Sequence, residues 1–159
     1  MKKTLLASAA LIALGTTDPL AMGHGSLVFA PGEDARMNWD SWEAYEASAP
    51  DLSDQELTMF GPWLGLDCEL VQSVPAYFDV ATGTDVQYSG SDSFEQQIRI
   101  DAQAGSATNV AVFPQPGLLG DLARAGLVVP LTDGDADWIR DKYAAGQSWI
   151  DLATFDDSL

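Results

Sequence analysis

Hydrophobic positions fall into short blocks that alternate between strand-like runs and helical spacing from Leu57 onward. Leu57–Phe60 is an apolar run closed by Gly61-Pro62 and predicts a strand. Asp67 opens a predicted helix carrying Leu70, Val74 and Phe78 at i, i+4 and i+8, with Gly83 just past its end. Pro75 falls inside that helix, where a proline typically costs ~3 kcal/mol, so the helix kinks there or begins later. Asp85–Tyr88 predicts a second strand and Ser89-Gly90-Ser91-Asp92 a turn. Ser93 and Gln96 have the spacing of a capping box. Phe94, Ile98 and Ala102 then share one helical face up to Gly105. Val110–Phe113 is unbroken apolar, as in a strand covered on both faces, and Pro114-Gln115-Pro116 ends it. Leu118, Leu119 and Leu122 mark a further helix stopped at Gly126, and Leu127–Leu131 predicts a fourth strand. Asp135 or Asp137 opens a helix through Trp138, Ile139 and Tyr143 to Gly146. Trp149–Phe155 begins another element.

Strands alternating with helices imply an α/β fold, a mostly parallel sheet flanked by helices and joined by right-handed crossovers. Ligands of open parallel sheets bind beyond the carboxyl ends of the strands. That rule selects the loops 61–66, 89–92 and 114–117. They hold Trp63, Ser89, Ser91, Asp92 and Gln115, with Phe113 at a strand end. An aromatic face beside hydroxyl, amide and carboxylate groups suits a neutral polyhydroxylated ligand. Three of them also have a plainer reading: Trp63 as an anchor under its loop, Asp92 as a charge favoured at a helix N-terminus, Phe113 as core.

The chain before Leu57 is different in kind. Lys2 and Lys3 precede an apolar run from Leu5 to Leu14, broken only by Ser8, and Ala21-Met22-Gly23 supplies small residues behind it. The run is shorter than the ~20 residues a membrane span needs and matches a secretory signal peptide over 1–23. Residues 24–56 read as an irregular arm with Pro31, Gly32 and Pro50. Within it Trp39, Trp42 and Glu46 have helical spacing. The arm either wraps the outside of the domain or contributes to a ligand site. Residues 57–159 form the remaining unit.

Composition narrows the chemistry. The 159 residues carry 7 Lys plus Arg against 24 Asp plus Glu, a formal net charge of -17. Such acidity repels phosphate backbones and excludes nucleic-acid binding by charge. One Cys and one His, Cys68 and His24, exclude a Cys/His zinc site and an internal disulfide, and leave no support for a Ser-His-Asp triad. Cys68 is also too far along the chain for a lipid anchor, so none is expected. Asp133-Gly134-Asp135-Ala136-Asp137 has the spacing of a calcium loop. Trp138 and Ala144 stand where Gly and Glu are required, so no metal is expected. No phosphate-cradling glycine loop occurs, and no cofactor is expected.

The stretches LTMFGPWLG, ATGTDVQYSGSDSFEQQI, GSATNVAVFPQPGLLGDLARAGLVVPL and ADWIRDKYAAGQSW resemble the N-terminal lobe of family 1 extracellular solute-binding proteins of ABC sugar importers. The alpha-glucoside-binding branch is the most similar, and the arm from Ser26 to Pro50 resembles it too. The resemblance implies a periplasmic protein of two lobes that close on a carbohydrate and hand it to a permease. It implies no bond chemistry. It places aromatic and polar ligand contacts in the loops holding Trp63, Ser91-Asp92 and Phe113–Gln115. Only one lobe is recognisable, so a truncated product with weak sugar binding is expected. Two other readings stand beside it: a small exported α/β enzyme acting on glycosides through carboxylates, and an interaction module using the Trp-rich arm.

Overall fold

Three strands pair in parallel in the computed structural model, which describes residues 27–143 and 145–159. The predicted leader at 1–23 lies outside the described residues. β1 (Glu56–Gly61) is central. β2 (Asp85–Gly90) lies along one side of it, in register from Glu56 opposite Asp85 to Gly61 opposite Gly90. β3 (Val110–Ala111) lies on the other side, with Val110 opposite Met59. The order β2-β1-β3 means that the chain steps to one side of β1 and then crosses back over it. α1 (Trp39–Glu46) precedes β1, α2 (Leu66–Gln72) and α3 (Pro75–Thr82) connect β1 to β2, α4 (Phe94–Ala104) connects β2 to β3, and α5 (Pro116–Arg124), α6 (Asp133–Lys142) and α7 (Gln147–Leu152) follow.

The core forms where the predicted helical face meets the sheet. Phe94, Ile98 and Ala102 of α4 pack with Phe60 of β1 and with Leu118 and Leu122 of α5. Phe94 is only 1% exposed. Its ring lies 5.0 Å from Phe60 and 5.5 Å from Phe113, in tilted and edge-on arrangements that aromatic quadrupoles favour.

The arm docks on α3. Trp39 and Trp42 each lie about 6 Å from the Tyr77 ring, and Tyr45 stacks on Phe78. The Tyr77 hydroxyl donates to the Phe29 carbonyl at 2.9 Å and accepts from the Phe29 N–H at 3.1 Å. The helical spacing of Trp39, Trp42 and Glu46 is thus realised as α1.

Several expectations need correction. The single helix expected from Asp67 to Gly83 is two helices. Pro75 opens α3 at its first position, where a missing N–H leaves no bond unmade. The chain turns at Ser73-Val74, so Leu70 and Val74 point to solvent rather than sharing a face with Phe78. Gly65, not Asp67, is the N-cap of α2. The C-cap at Gly83 does hold, at φ 73°. Ser89 and Gly90 belong to β2 rather than to a turn. No capping box forms at Ser93: its carbonyl accepts from Gln96 and Gln97, while its hydroxyl donates to Asp92. β3 is two residues long and Val110 is exposed, because only β1 pairs with it.

Leu127–Leu131 makes no strand among the described residues. Leu127 N–H bonds back to Leu122 at the end of α5, Leu131 N–H bonds to Leu159, and Val129 is 92% exposed. An apolar run becomes a strand only where a ladder partner lies beside it. α6 starts at a Thr132 cap and carries Asp133–Asp137 in its opening turns. It ends at Lys142, before the predicted stop at Gly146.

Asp79 of α3 is buried at 8% exposure and accepts from the Val86 N–H at 3.2 Å. Burial, with Asp85 nearby, pushes its carboxyl up to about 6, against the opposing effect of that hydrogen bond. The folded state therefore holds this proton more tightly than the unfolded chain, whose value is 3.8. The contribution of this group to stability is fully present below pH ~4, is lost between about 4 and 6, and is constant above. Asp79→Asn keeps an oxygen for the Val86 N–H and removes the ionisation. It is expected to flatten that limb and to raise stability at pH 7 by about 1–3 kcal/mol. Urea titrations at pH 4.5 and 7 read both effects. A steeper wild-type stability loss on acidification, uncorrected by the variant, would contradict the assignment.

Candidate functional site

Parallel strands bring their carboxyl ends to one edge, and the loops leaving that edge carry the predicted site residues. Strand order reverses at β1, so the loops after β1 and β3 flank the crevice that such a reversal opens.

The loop after β1 is held by β2. Tyr88 lies opposite Met59 in the register, and Gly90 opposite Gly61. Side chains two apart on a strand share a face, so the Tyr88 ring runs along the face on which Gly61 has no side chain. A Cβ on Gly61 would stand 2.9 Å from the Tyr88 hydroxyl and 3.2 Å from Cε3 of Trp63. Through that gap the Tyr88 hydroxyl reaches the Trp63 backbone. It accepts from the Trp63 N–H at 3.0 Å and donates to the Trp63 carbonyl at 3.2 Å. The carbonyl itself sits over Gly90, where a Cβ would overlap it. Burial pushes the Tyr88 phenol above its ordinary value, so it stays protonated and serves both bonds.

The loop after β2 is tied to the same place. Ser91 N–H donates to the Gly61 carbonyl at 3.0 Å, and the Ser91 carbonyl accepts from Phe94 N–H at the start of α4. Ser91 Oγ accepts from the Ser93 N–H, leaving its own proton available. Asp92 is exposed, and its Oδ1 accepts from the Ser93 hydroxyl. Trp63 is half-buried. Trp63, Ser91 and Asp92 thus lie on loops leaving adjacent strands at one sheet edge, each loop bonded to the end of the other's strand, Ser91 to Gly61 of β1 and Trp63 to Tyr88 of β2.

Phe113 and Gln115 are placed differently. Val112 N–H extends the ladder to Phe60, and the half-buried Phe113 ring then turns onto Phe94. Gln115 is the N-cap of α5: its Oε1 accepts from Gly117 N–H at 2.6 Å, and its Nε2 donates to Glu95 at 3.3 Å. Both line a groove of about 450 Å³ with Leu119, Ile139, Tyr143 and Trp149, which Trp63, Ser91 and Asp92 do not line. Ser89 stays within β2, exposed.

Tyr88, Gly61 and Gly90 were not among the expected site residues. Tyr88 reads as one more strand residue, and only the paired glycines at two strand ends hint at a close backbone approach. Among the described residues, no group of three or more His, Cys, Asp and Glu side chains is arranged to hold a metal ion. The edge offers an aromatic ring, a hydroxyl and a carboxylate, a set that binds hydroxyl-rich ligands.

Comparison with known proteins gives the same direction. Residues 69–157 match the family model of the bacterial extracellular solute-binding proteins. The chain is 52% identical over 158 residues to the alpha-glucosides-binding periplasmic protein of Rhizobium meliloti, covering 98% of this chain and 34% of that protein. It is 36% identical over 107 residues to the osmoprotective compounds-binding protein of a Synechocystis strain, covering 67% of this chain and 25% of that one. The chain therefore spans about a third or less of the length of these curated relatives.

Proposed function

Because the chain belongs to the bacterial extracellular solute-binding protein family, we propose that it forms part of the capture component of an ABC importer that takes up an alpha-glucoside. In this reading the leader at 1–23 directs export to the periplasm, the arm at 24–56 braces the fold, and 57–159 forms one wall of a sugar cleft. The protein binds and releases its ligand without bond chemistry and presents it to a permease. Trp63 covers the apolar C–H face of a glucose ring. Ser91 and Asp92 bond its hydroxyls. Phe113 and Gln115 extend the rim beyond β3.

The observation that supports this reading is that Trp63 and Ser91-Asp92 lie on loops leaving adjacent parallel strands at one edge, with Ser91 bonded to Gly61 of β1 and Trp63 to Tyr88 of β2. A relative that binds alpha-glucosides, 52% identical, supports the ligand class. The test is calorimetric titration of maltose, sucrose and trehalose, with lactose as control, against a chain of the relatives' length that carries this segment. Micromolar binding of at least one alpha-glucoside is expected. Trp63→Ala and Asp92→Ala should each weaken it by about tenfold or more. Absence of any response, or unchanged affinity in both variants, would reject the proposal.

A further inference from the structure

We propose that Tyr88 is a positioning residue for the ligand site, setting the height and tilt of Trp63 through the Trp63 backbone; this rests on the sugar-binding reading above. The geometry is specific. One phenol oxygen makes two bonds to one residue, accepting from its N–H at 3.0 Å and donating to its carbonyl at 3.2 Å. Both groups belong to a loop residue in no helix or strand, so the hydroxyl replaces bonds that a ladder would otherwise supply. Tyr88 is buried and on the rigid strand β2, whereas Trp63 is on the loop that follows β1. Two glycines complete the device. Gly61 leaves the space through which the hydroxyl passes, and Gly90 lets the Trp63 carbonyl settle on β2.

The consequence is functional because the bonds end at Trp63 itself. A stacked ring needs placement to within about 0.5 Å, and a loop achieves that only with outside support. Losing the hydroxyl leaves the Trp63 N–H and carbonyl without that fixed partner and lets the ring sample other heights. The core does not use the hydroxyl: Phe60, Phe94, Leu118 and Leu122 make no hydrogen bond to it. A Phe at position 88 retains the ring, so packing against the sheet is kept.

The experiment uses the relatives'-length chain labelled with 5-fluorotryptophan, with maltose, sucrose and trehalose as probes. Trp63→Phe assigns the Trp63 fluorine resonance. Tyr88→Phe is expected to move or broaden that resonance alone and to weaken binding of the responding sugar by about tenfold. If Tyr88→Phe binds as tightly as wild type while Trp63→Ala does not, the positioning role is overturned and the sugar site stands. If neither variant affects binding, the sugar site falls, and the positioning role with it. If Tyr88→Phe moves all the tryptophan resonances together, its role is structural and the inference is again overturned.

Discussion

Phe94→Ala is expected to lower stability by about 3–5 kcal/mol, as truncation of a fully buried aromatic does. Phe94 is the first residue of α4 and the contact between three elements. Its ring meets Phe60 of β1, Phe113 just beyond β3, and the α5 leucines through the shared cluster. Removing it leaves a cavity that the surroundings close poorly, because Phe60 is pinned in the central strand by ladders on both sides. Domains of this size hold only ~5–15 kcal/mol in total, so the variant should melt tens of degrees lower or fail to fold at 37 °C. Urea denaturation followed by far-ultraviolet circular dichroism reads the change. Phe113→Ala should cost less, because that ring is half-buried at the fringe of the cluster. A loss below about 1 kcal/mol for Phe94→Ala would show that the core lies elsewhere.

Gly90→Ala is expected to cost about 2–3 kcal/mol, against the usual direction for this exchange. Replacing a glycine whose conformation suits alanine normally stabilises by about 0.4–1 kcal/mol through the unfolded chain. At Gly90 the new methyl would overlap the Trp63 carbonyl oxygen, a backbone atom that the Tyr88 hydroxyl holds in place. The steric loss wins because neither partner has a rotamer to escape into. Gly134 of α6 provides the control: nothing lies within 4 Å of its Cβ position, so Gly134→Ala should stabilise by about 0.5–1 kcal/mol. Opposite signs in paired thermal melts are the expected result. Matching signs would mean that the 61–65 loop does not rest on β2.

Much of this architecture is legible in the residue order. Phe94, Ile98 and Ala102 repeat at helical spacing and do face the core. Leu118 and Leu122 do the same on α5. Gly83 and Gly105 stop their helices in left-handed geometry, as residues without a Cβ do most readily. That the loops holding Trp63 and Ser91-Asp92 leave one edge is also readable, since parallel strands must end at a common edge. Leu70, Val74 and Val129 were misread for one reason. Spacing reports which residues share a face, but not whether anything covers that face.

The strands at 56–61 and 85–90, the helical face of Phe94, Ile98 and Ala102, and the loops that bear the candidate ligand residues follow from local pattern, because period and turn chemistry act over a few neighbours. Contacts across the sheet decided the rest. Leu127–Leu131 has a strand's composition yet lacks a ladder partner among the described residues, and pairing, not composition, makes a strand. Tyr88 became the support of Trp63 only through the register that sets Gly61 beside Gly90, a relation between residues 29 apart that no local window contains.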